Sequence, residues 1–237
     1  MDNKEALQQI RHREKQSHIA AYSGDMLYKQ GSWLSKPVKT VLDLLPNFDG
    51  YSSLHVLDLG CGVGRNCIAI AKHFQTIPCF IDCVDILELA IEKLKKYAED
   101  FAVSEKINGT VMPIEDYRIA ENHYDLVLAI SALEHVDSEE SFVSKLTEIR
   151  DGIRHNGIVC LVVNTNVREY DKVSGAPVPA QFEVNLPTDK MQELLACTFA
   201  GWEILKNNVC QQQYDIPREH GIHDLHTSVV TLAAKKK

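Results

Sequence analysis

The sequence predicts an α/β fold, a mostly parallel sheet with helices on both faces that ends in an antiparallel hairpin. Three observations predict it. From residue 54 onward, strand-like apolar segments alternate with helix-like periodic ones. The first of these strands runs straight into a glycine loop and then a helix. Near the end, two β-rich runs follow one another with only a polar stretch between them, which implies antiparallel pairing.

Taken in order, LHVLDLG (54–60) reads as a buried strand, with a helix through Asn66 to Phe74 after the glycine loop, and CFIDCVD (79–85) as the second strand. Leu87, Ile91, Leu94, Ala98 and Phe101 recur at steps of four and three, one apolar stripe of a helix. Strand three is expected over Ile107–Met112, strand four over 124–130 (YDLVLAI) and strand five over 157–163 (GIVCLVV). Between the last two, Asp137 with Glu140 suggests a capping box, and Phe142, Leu146, Ile149 and Ile153 form the core-facing stripe of a helix. Gly157 suits the turn into strand five. Residues 164–187 hold three prolines and no clear period, which predicts a long loop of the kind used as a lid. A helix over about 188–198 precedes the terminal pair, WEILKNNV (202–209) and TSVVTLAA (227–234). Residues 1–53 lean helical outside this series; 1–35 are expected to form a helical cap over the strand ends, with 36–237 as one domain.

A chain of 237 residues with 45% hydrophobic and 24% charged residues can build its own core and is neither fibrous nor disordered. Its longest apolar run, Ile158–Val163, is far short of the roughly 20 residues needed to cross a bilayer. The charged start lacks an apolar h-region, so a cytoplasmic protein without membrane partners is expected. With 33 acidic against 25 basic residues the net charge is −8, which disfavours nucleic acid as a partner. Arg11, Arg13 and Lys15 read as a solvated helix face. The seven cysteines, at 61, 67, 79, 83, 160, 197 and 210, form no CxxC pair, and five lie in or beside apolar segments; they read as reduced core thiols, with neither disulfide nor zinc site.

The informative motif is VLDLGCGVGRN, Val56–Asn66. Its glycines let the backbone approach a ligand closely and turn into a helix N-terminus. The spacing is G-x-G-x-G, and the dinucleotide pattern G-x-G-x-x-G fails because Arg65 and Asn66 stand where a third glycine would be sought. Asp58 within the strand end would repel a pyrophosphate and attract an ammonium group. Asp85, at the end of strand two, is placed to accept both hydroxyls of a ribose. Together they describe an adenosine-type ligand with an amino acid tail and no phosphates.

On these residues the chain, over roughly 30–237, resembles the class I S-adenosylmethionine-dependent methyltransferases. The carrying segments are VLDLGCGVGRN, CVDILELAIEKL, MPIED at 112–116, YDLVLAISALEHV and GIVCLVV. The small-molecule branch of the tellurite- and thiopurine-resistance type looks nearest, on the ending PREHGIHDLHTSVVTLAAKK. The resemblance implies a Rossmann-like seven-stranded methyltransferase sheet, six strands parallel and one antiparallel, and S-adenosyl-L-methionine as cofactor. Carried over, Gly60, Cys61, Gly62 and Gly64 line its methionine portion, Asp58 holds the region of its amino group directly or through water, and Asp85 takes the ribose. Where family members often have an Asp after strand three, this chain has Met112 and Pro113. Adenine is therefore expected on Ile86 and Ile114, with Glu115 or a backbone amide as the polar contact, and Ser131 and Ala132 pass under the methionine moiety. The Asn-Pro-Pro-Tyr motif that serves amino groups on nucleic-acid bases is absent; Ile130-Ser131-Ala132-Leu133 stands there.

The function this implies is methyl transfer to a small-molecule acceptor by in-line displacement. The alternatives are a protein or RNA methyltransferase, a nicotinamide-type oxidoreductase, or a cofactor-binding module without catalysis. The leaving group is activated by its own charge, so a soft nucleophile needs no base, whereas an amine or hydroxyl does. His135 is the candidate catalytic base, with His220 and Tyr28 as further candidates, although Glu134 and His135 also suit a helix cap. Tyr28 and Trp33, with Tyr22, suggest an aromatic lid over the substrate or plain core, and His220 a substrate contact or a surface loop. His220, His223 and His226 at three-residue steps alternate faces on a strand, and no metal site is expected from them.

Overall fold

The computed structural model of the chain describes residues 26–218 and 221–237, together with Ile10, Arg11, Arg13, Lys15, Gln16, Ile19 and Tyr22. Strands β1 (Leu54–Leu59), β2 (Cys79–Asp85), β3 (Ile107–Val111), β4 (Tyr124–Ile130), β5 (Ile153–Asp171), β7 (Glu203–Arg218) and β8 (Gly221–Lys235) form one sheet in the order β3-β2-β1-β4-β5-β8-β7, with the two-residue β6 (Pro177–Val178) paired to β5. The pairs from β3 through β5 are parallel, while β8 runs antiparallel to both β5 and β7. β8 is thus the single reversed strand of the main order, as the resemblance implied.

Central strands alternate their side chains between two buried faces. In β4, Leu126 and Leu128 join the core on one side, with β1's Val56 and the helices α2 (Cys67–His73) and α3 (Glu88–Asp100). Val127 and Ala129 join the other core, with Phe142, Leu146 and Ile149 of α4 (Glu139–Gly152) and Met191 and Leu195 of α5 (Thr188–Thr198). The short α1 (Lys39–Leu44) packs Val41 and Leu44 into the first core. The α3 stripe is buried as expected, and Phe101 packs partly buried beside it. The cap of α4 lies one residue beyond the expected Asp137: Ser138 Oγ accepts from Ser141 N at 3.1 Å. Here a short hydroxyl at the N-cap, with extended backbone, outcompetes the Asp137–Glu140 box.

The largest departure from expectation is the predicted lid at 164–187. Its first eight residues are strand, because β5 runs on to Asp171 and pairs with β8 as far as Asp171 opposite His223. The three strands β5, β8 and β7 therefore extend as an arm beyond the parallel sheet. Period-two burial is present there, since Thr165, Val167 and Glu169 are buried while Asn166 and Arg168 are exposed. It escapes sequence reading because two of the three inward residues are polar. Glu169, whose side chain is 0% exposed, accepts from Arg218 Nε at 2.8 Å and Nη2 at 3.0 Å, and its Oε1 lies 2.6 Å from His223 Nδ1. Burial alone would raise its pKa, but the Arg218 and His223 hydrogen bonds outweigh that and hold the carboxyl below the usual range.

About half of the expected cap over 1–35 lies outside the described residues, as does His220. No helix among the described residues is long and apolar enough to cross a membrane.

Replacing Glu169 by Ala strands a guanidinium inside the arm, a loss of about 3–5 kcal/mol for breaking a buried pair. A fall in the urea midpoint at unchanged slope is expected. In the wild type, this contribution is present at neutral pH and fades as the pH falls through the lowered carboxyl pKa.

Candidate active site

The order β3-β2-β1-β4-β5 makes β1 and β4 neighbours whose outgoing connections part to opposite sides, opening a crevice at the carboxyl ends of the strands. The loop after β1 enters it. Gly60 N and Cys61 N both donate to Val84 O, at 2.8 and 3.0 Å, which bends the loop over the end of β2. Gly60 has φ +71°, and a Cβ there would collide with the Cβ of Ala132 in the turn after β4. Gly62 has φ +54°, and a Cβ there would lie 2.7 Å from the hydroxyl oxygen of Tyr22. Both positions combine left-handed backbone with a close approach, which only glycine accommodates without strain.

Asp85 braces this loop. Its Oδ2 accepts from Gly62 N at 2.8 Å and its Oδ1 from Leu87 N at 2.9 Å. A carboxylate offers about four lone-pair sites, so these two bonds do not exhaust it. Beneath the loop Asp58 is buried, and no hydrogen bond reaches its Oδ2. Burial, and then the nearby Asp85 charge, push the Asp58 carboxyl up to about 7 against the opposing pull of Arg65. A buried acid with an orphaned oxygen is costly unless something positive arrives to pair with it.

Above the loop is a cavity of about 360 Å³, within the usual size range of small-molecule sites. Gly60, Asp85, Ile86, Ile114, Glu115, Ser131 and His135 line it. Ser131 sits there in left-handed backbone, φ +51°, with its N–H donated to Val162 O at 2.7 Å. At the rim Arg11 pairs with Glu115 and lies 3.7 Å from Glu183 Oε1, while His135 Nδ1 lies 2.8 Å from Glu183 Oε2. The imidazole stacks on Phe182 at 5.0 Å between ring centroids. Tyr22, buried against the glycine loop, closes the near side, and burial, reinforced by the Asp85 charge, pushes its phenol well up.

The crevice thus brings together Gly60, Asp85, Ile86, Ile114, Glu115, Ser131 and His135, with Asp58, Cys61, Gly62 and Gly64 beneath or beside them and not on the cavity wall itself. Tyr28 and Trp33 stand apart from it. The Tyr28 hydroxyl donates to Arg65 O at 2.8 Å with its ring against Phe101, and Trp33, 48% exposed, receives the Arg65 guanidinium over its ring at 5.3 Å. Both clamp the start of α2 instead of facing the cavity. Sequence reading missed Arg11, Lys15, Pro113 and Glu183. Arg11 and Lys15 are four apart, a spacing that puts both on one helix face, and both line the cavity, Arg11 half-buried and Lys15 exposed. Glu183 carries no local signal, being a lone acid in an aperiodic stretch. Five cysteines are buried and free, and Cys197 and Cys210 are exposed and free. Among the described residues no group of three His, Cys, Asp or Glu could hold a metal.

These residues fit S-adenosylmethionine by their chemistry: an unpaired buried carboxylate for an ammonium, a second acid for ribose hydroxyls, a glycine cradle that any Cβ would fill, and apolar Ile86 and Ile114 for a flat base. Residues 56–157 match the profile of a family described as a methyltransferase domain. A ubiquinone biosynthesis O-methyltransferase of Rickettsia canadensis (strain McKiel) is 30% identical over 125 residues, covering 52% of this chain and 49% of the relative. This chain therefore spans about half the length of the curated relative it matches. The crystal structure of TehB from Haemophilus influenzae superposes with a TM-score of 0.59 at 21% identity, covering 82% of this chain and 62% of that one. An S-adenosylmethionine-dependent methyltransferase from Methanosarcina mazei does so with a TM-score of 0.59 at 13% identity, covering 85% and 98%. The two structures are likenesses of fold. Glycine loop, paired acids, strand order and profile converge on a class I S-adenosylmethionine-dependent methyltransferase domain, which the family profile matches over residues 56–157.

Proposed function

We propose that this chain is an enzyme that transfers the methyl group of S-adenosylmethionine to a small-molecule acceptor. The observation that carries the reading is the small, roofed cavity set over Asp58 and Asp85 and closed at its rim by Arg11, Tyr22, Glu183 and His135. The acidic net charge and the O-methyltransferase relative favour a small acceptor over a polymer. In this reading residues 1–35 act as the cap, and Tyr22 does the covering first sought in Tyr28 and Trp33.

When bound, the cofactor supplies a methyl carbon already activated by the sulfonium charge. The chain's own residues bind, align and keep water out. Asp85 accepts the ribose hydroxyls while its bonds to Gly62 and Leu87 keep it oriented. Asp58 pairs with the ammonium group, which favours its ionised form. Ile86 and Ile114 take the adenine faces, and Ser131, with Ala132, carries the methionine portion along the end of β4. Glu115 is the nearest acid to the adenine edge, held in place by Arg11.

Three measurements check this reading. Labelled cofactor offered with phenols, amines, thiols and chalcogen oxyanions should label at least one small acceptor; binding without any turnover would make the chain a silent cofactor module. Asp85→Ala should lower calorimetric affinity for S-adenosylhomocysteine at least tenfold with the fold intact, since charge-assisted bonds are worth about 1.5–3 kcal/mol each; an unchanged dissociation constant would put the ribose elsewhere. The third concerns protons. In the ligand-free fold the Asp58 carboxyl is held up near 7, above its unfolded value, so its burial costs stability progressively as pH rises from about 4 to about 7. An arriving ammonium reverses this by favouring the carboxylate. Cofactor binding near pH 6 should therefore release up to about one proton, read by calorimetry in buffers of different ionisation enthalpy. Asp58→Asn should abolish the release and weaken binding, and a wild type that releases no proton would place the ammonium away from Asp58.

A further inference from the structure

We infer that Arg11 is the latch of the cofactor chamber, bridging Glu115 and Glu183 across its mouth, and that its release sets how fast S-adenosylhomocysteine leaves, an inference that rests on the methyl-transfer reading above. The Arg11 guanidinium pairs with Glu115, holds its Nε 3.7 Å from Glu183 Oε1 and donates to His135 O at 3.4 Å. Its partners sit after β3, after β4 and before α5, so one side chain joins connections from both sides of the crevice between β1 and β4.

The bridge is mostly out of water. Arg11 is 27% exposed, and the side chains of Glu115 and Glu183 are 11% and 2% exposed. Charges so placed are screened much less than surface pairs. Lifting the guanidinium away leaves two carboxylates, both within reach of a single side chain, with their attraction to it replaced by repulsion between them. Closed, the mouth is held by attraction; opened, it is kept apart by like charge. That gives the chamber two discrete arrangements in place of a graded flexing.

The root of the N-terminal segment is fastened by other means. Lys93 Nζ of α3 donates to Tyr22 O, Leu27 N donates to the Tyr97 hydroxyl of the same helix at 3.3 Å, and the Tyr28 hydroxyl donates to Arg65 O at 2.8 Å. Tyr22 is itself buried against the glycine loop. None of these root contacts is an acid–base pair, and all lie on the side of α2 and α3. The clasp at Arg11 carries the segment across to the other side of the cavity. Arg11 and Tyr22 line that cavity together with Asp85, Ile86 and Ile114, the residues assigned to ribose and adenine. A ligand resting on those three is roofed by the segment, and opening the clasp frees it while the root stays in place.

Each methyl transfer converts one cofactor to its thioether, which must leave before the next can enter. A chamber that excludes water during the displacement therefore has to open once per cycle.

The test follows tritiated S-adenosylhomocysteine binding to and leaving the full chain by rapid filtration. Because a latch bars entry and exit alike, Arg11→Ala should speed both association and release about ten- to a hundredfold, with the dissociation constant moving less than about threefold. A side chain that only touches the ligand would change release alone. Arg11→Lys should fall between, since an ammonium is a point charge without the planar fork that spans two carboxylates. Glu183→Gln, which removes half of the clasp, should also speed both rates in the otherwise wild-type chain, so the inference stays testable even if Arg11→Ala fails to fold. Added to Arg11→Ala it should do little more, as expected of two residues acting through one contact. Arg13→Ala, exposed on the same segment, should leave both rates as they are. Unchanged rates in Arg11→Ala or Glu183→Gln, faster release with unchanged association, or an equal effect from Arg13→Ala would overturn the inference. A wild type that binds no S-adenosylhomocysteine would defeat the cofactor reading and the latch with it, whereas binding without transfer to any acceptor would defeat the proposed function and leave the latch standing on its rates.

Discussion

The carboxylate of Asp85 is the constraint on which the rest of the site depends. By accepting from Gly62 on one side and Leu87 on the other, it ties the loop after β1 to the turn that opens α3. Those two segments leave adjacent parallel strands, so the bond converts strand register into the shape of a crevice. The glycine conformations follow from it, because the backbone must come within reach of the acid while passing Ala132 and Tyr22. An acid used this way is buried yet still lines the cavity, and the proposed function gives it recognition as well as structure.

Around it the protein keeps several more acids away from water, and each solves the cost differently. Glu169 in the arm is matched by Arg218 and His223 and stays ionised below the usual range. Glu183 is braced by Arg11 and faces His135. Glu134 is pushed up by burial, against the opposing influence of His135 and its bonds from Asn164. Asp58, like Glu134, keeps one buried oxygen without a hydrogen-bond partner, and its carboxyl is pushed up to about 7. Matched acids hold the fold together, whereas the orphaned oxygen of Asp58 beneath the glycine loop is the one that the proposed function assigns to a cation from outside.

The parallel half of the fold was legible because its strands are buried on both faces and its helices carry a single apolar stripe, so hydrophobicity alone spells them out. The arm was not. There the inward positions are Thr165, Val167 and Glu169, and an ion triad replaces the apolar alternation that sequence reading depends on. The cap of α4 slipped by one residue for a related reason: Asp137 and Ser138 are both good caps, and backbone geometry chose between them.

By itself the sequence determined the strand–glycine loop–helix unit, the two acids Asp58 and Asp85, and with them the class of cofactor, because those features are local and their chemistry is carried by residue type and spacing. Only the tertiary structure decided what surrounds the reacting centre. Arg11, Glu115, His135 and Glu183 come from the N-terminal segment, the turn after β3, the turn after β4 and the segment before α5, with Arg11 and Glu183 172 positions apart, and no local pattern records their meeting. Tyr22 covers the glycine loop while Tyr28 and Trp33 turn to Arg65 for the same reason. The signature of the cofactor class lies within about thirty residues, from Asp58 to Asp85, whereas the rim of the cavity is assembled from segments that only long-range packing brings together.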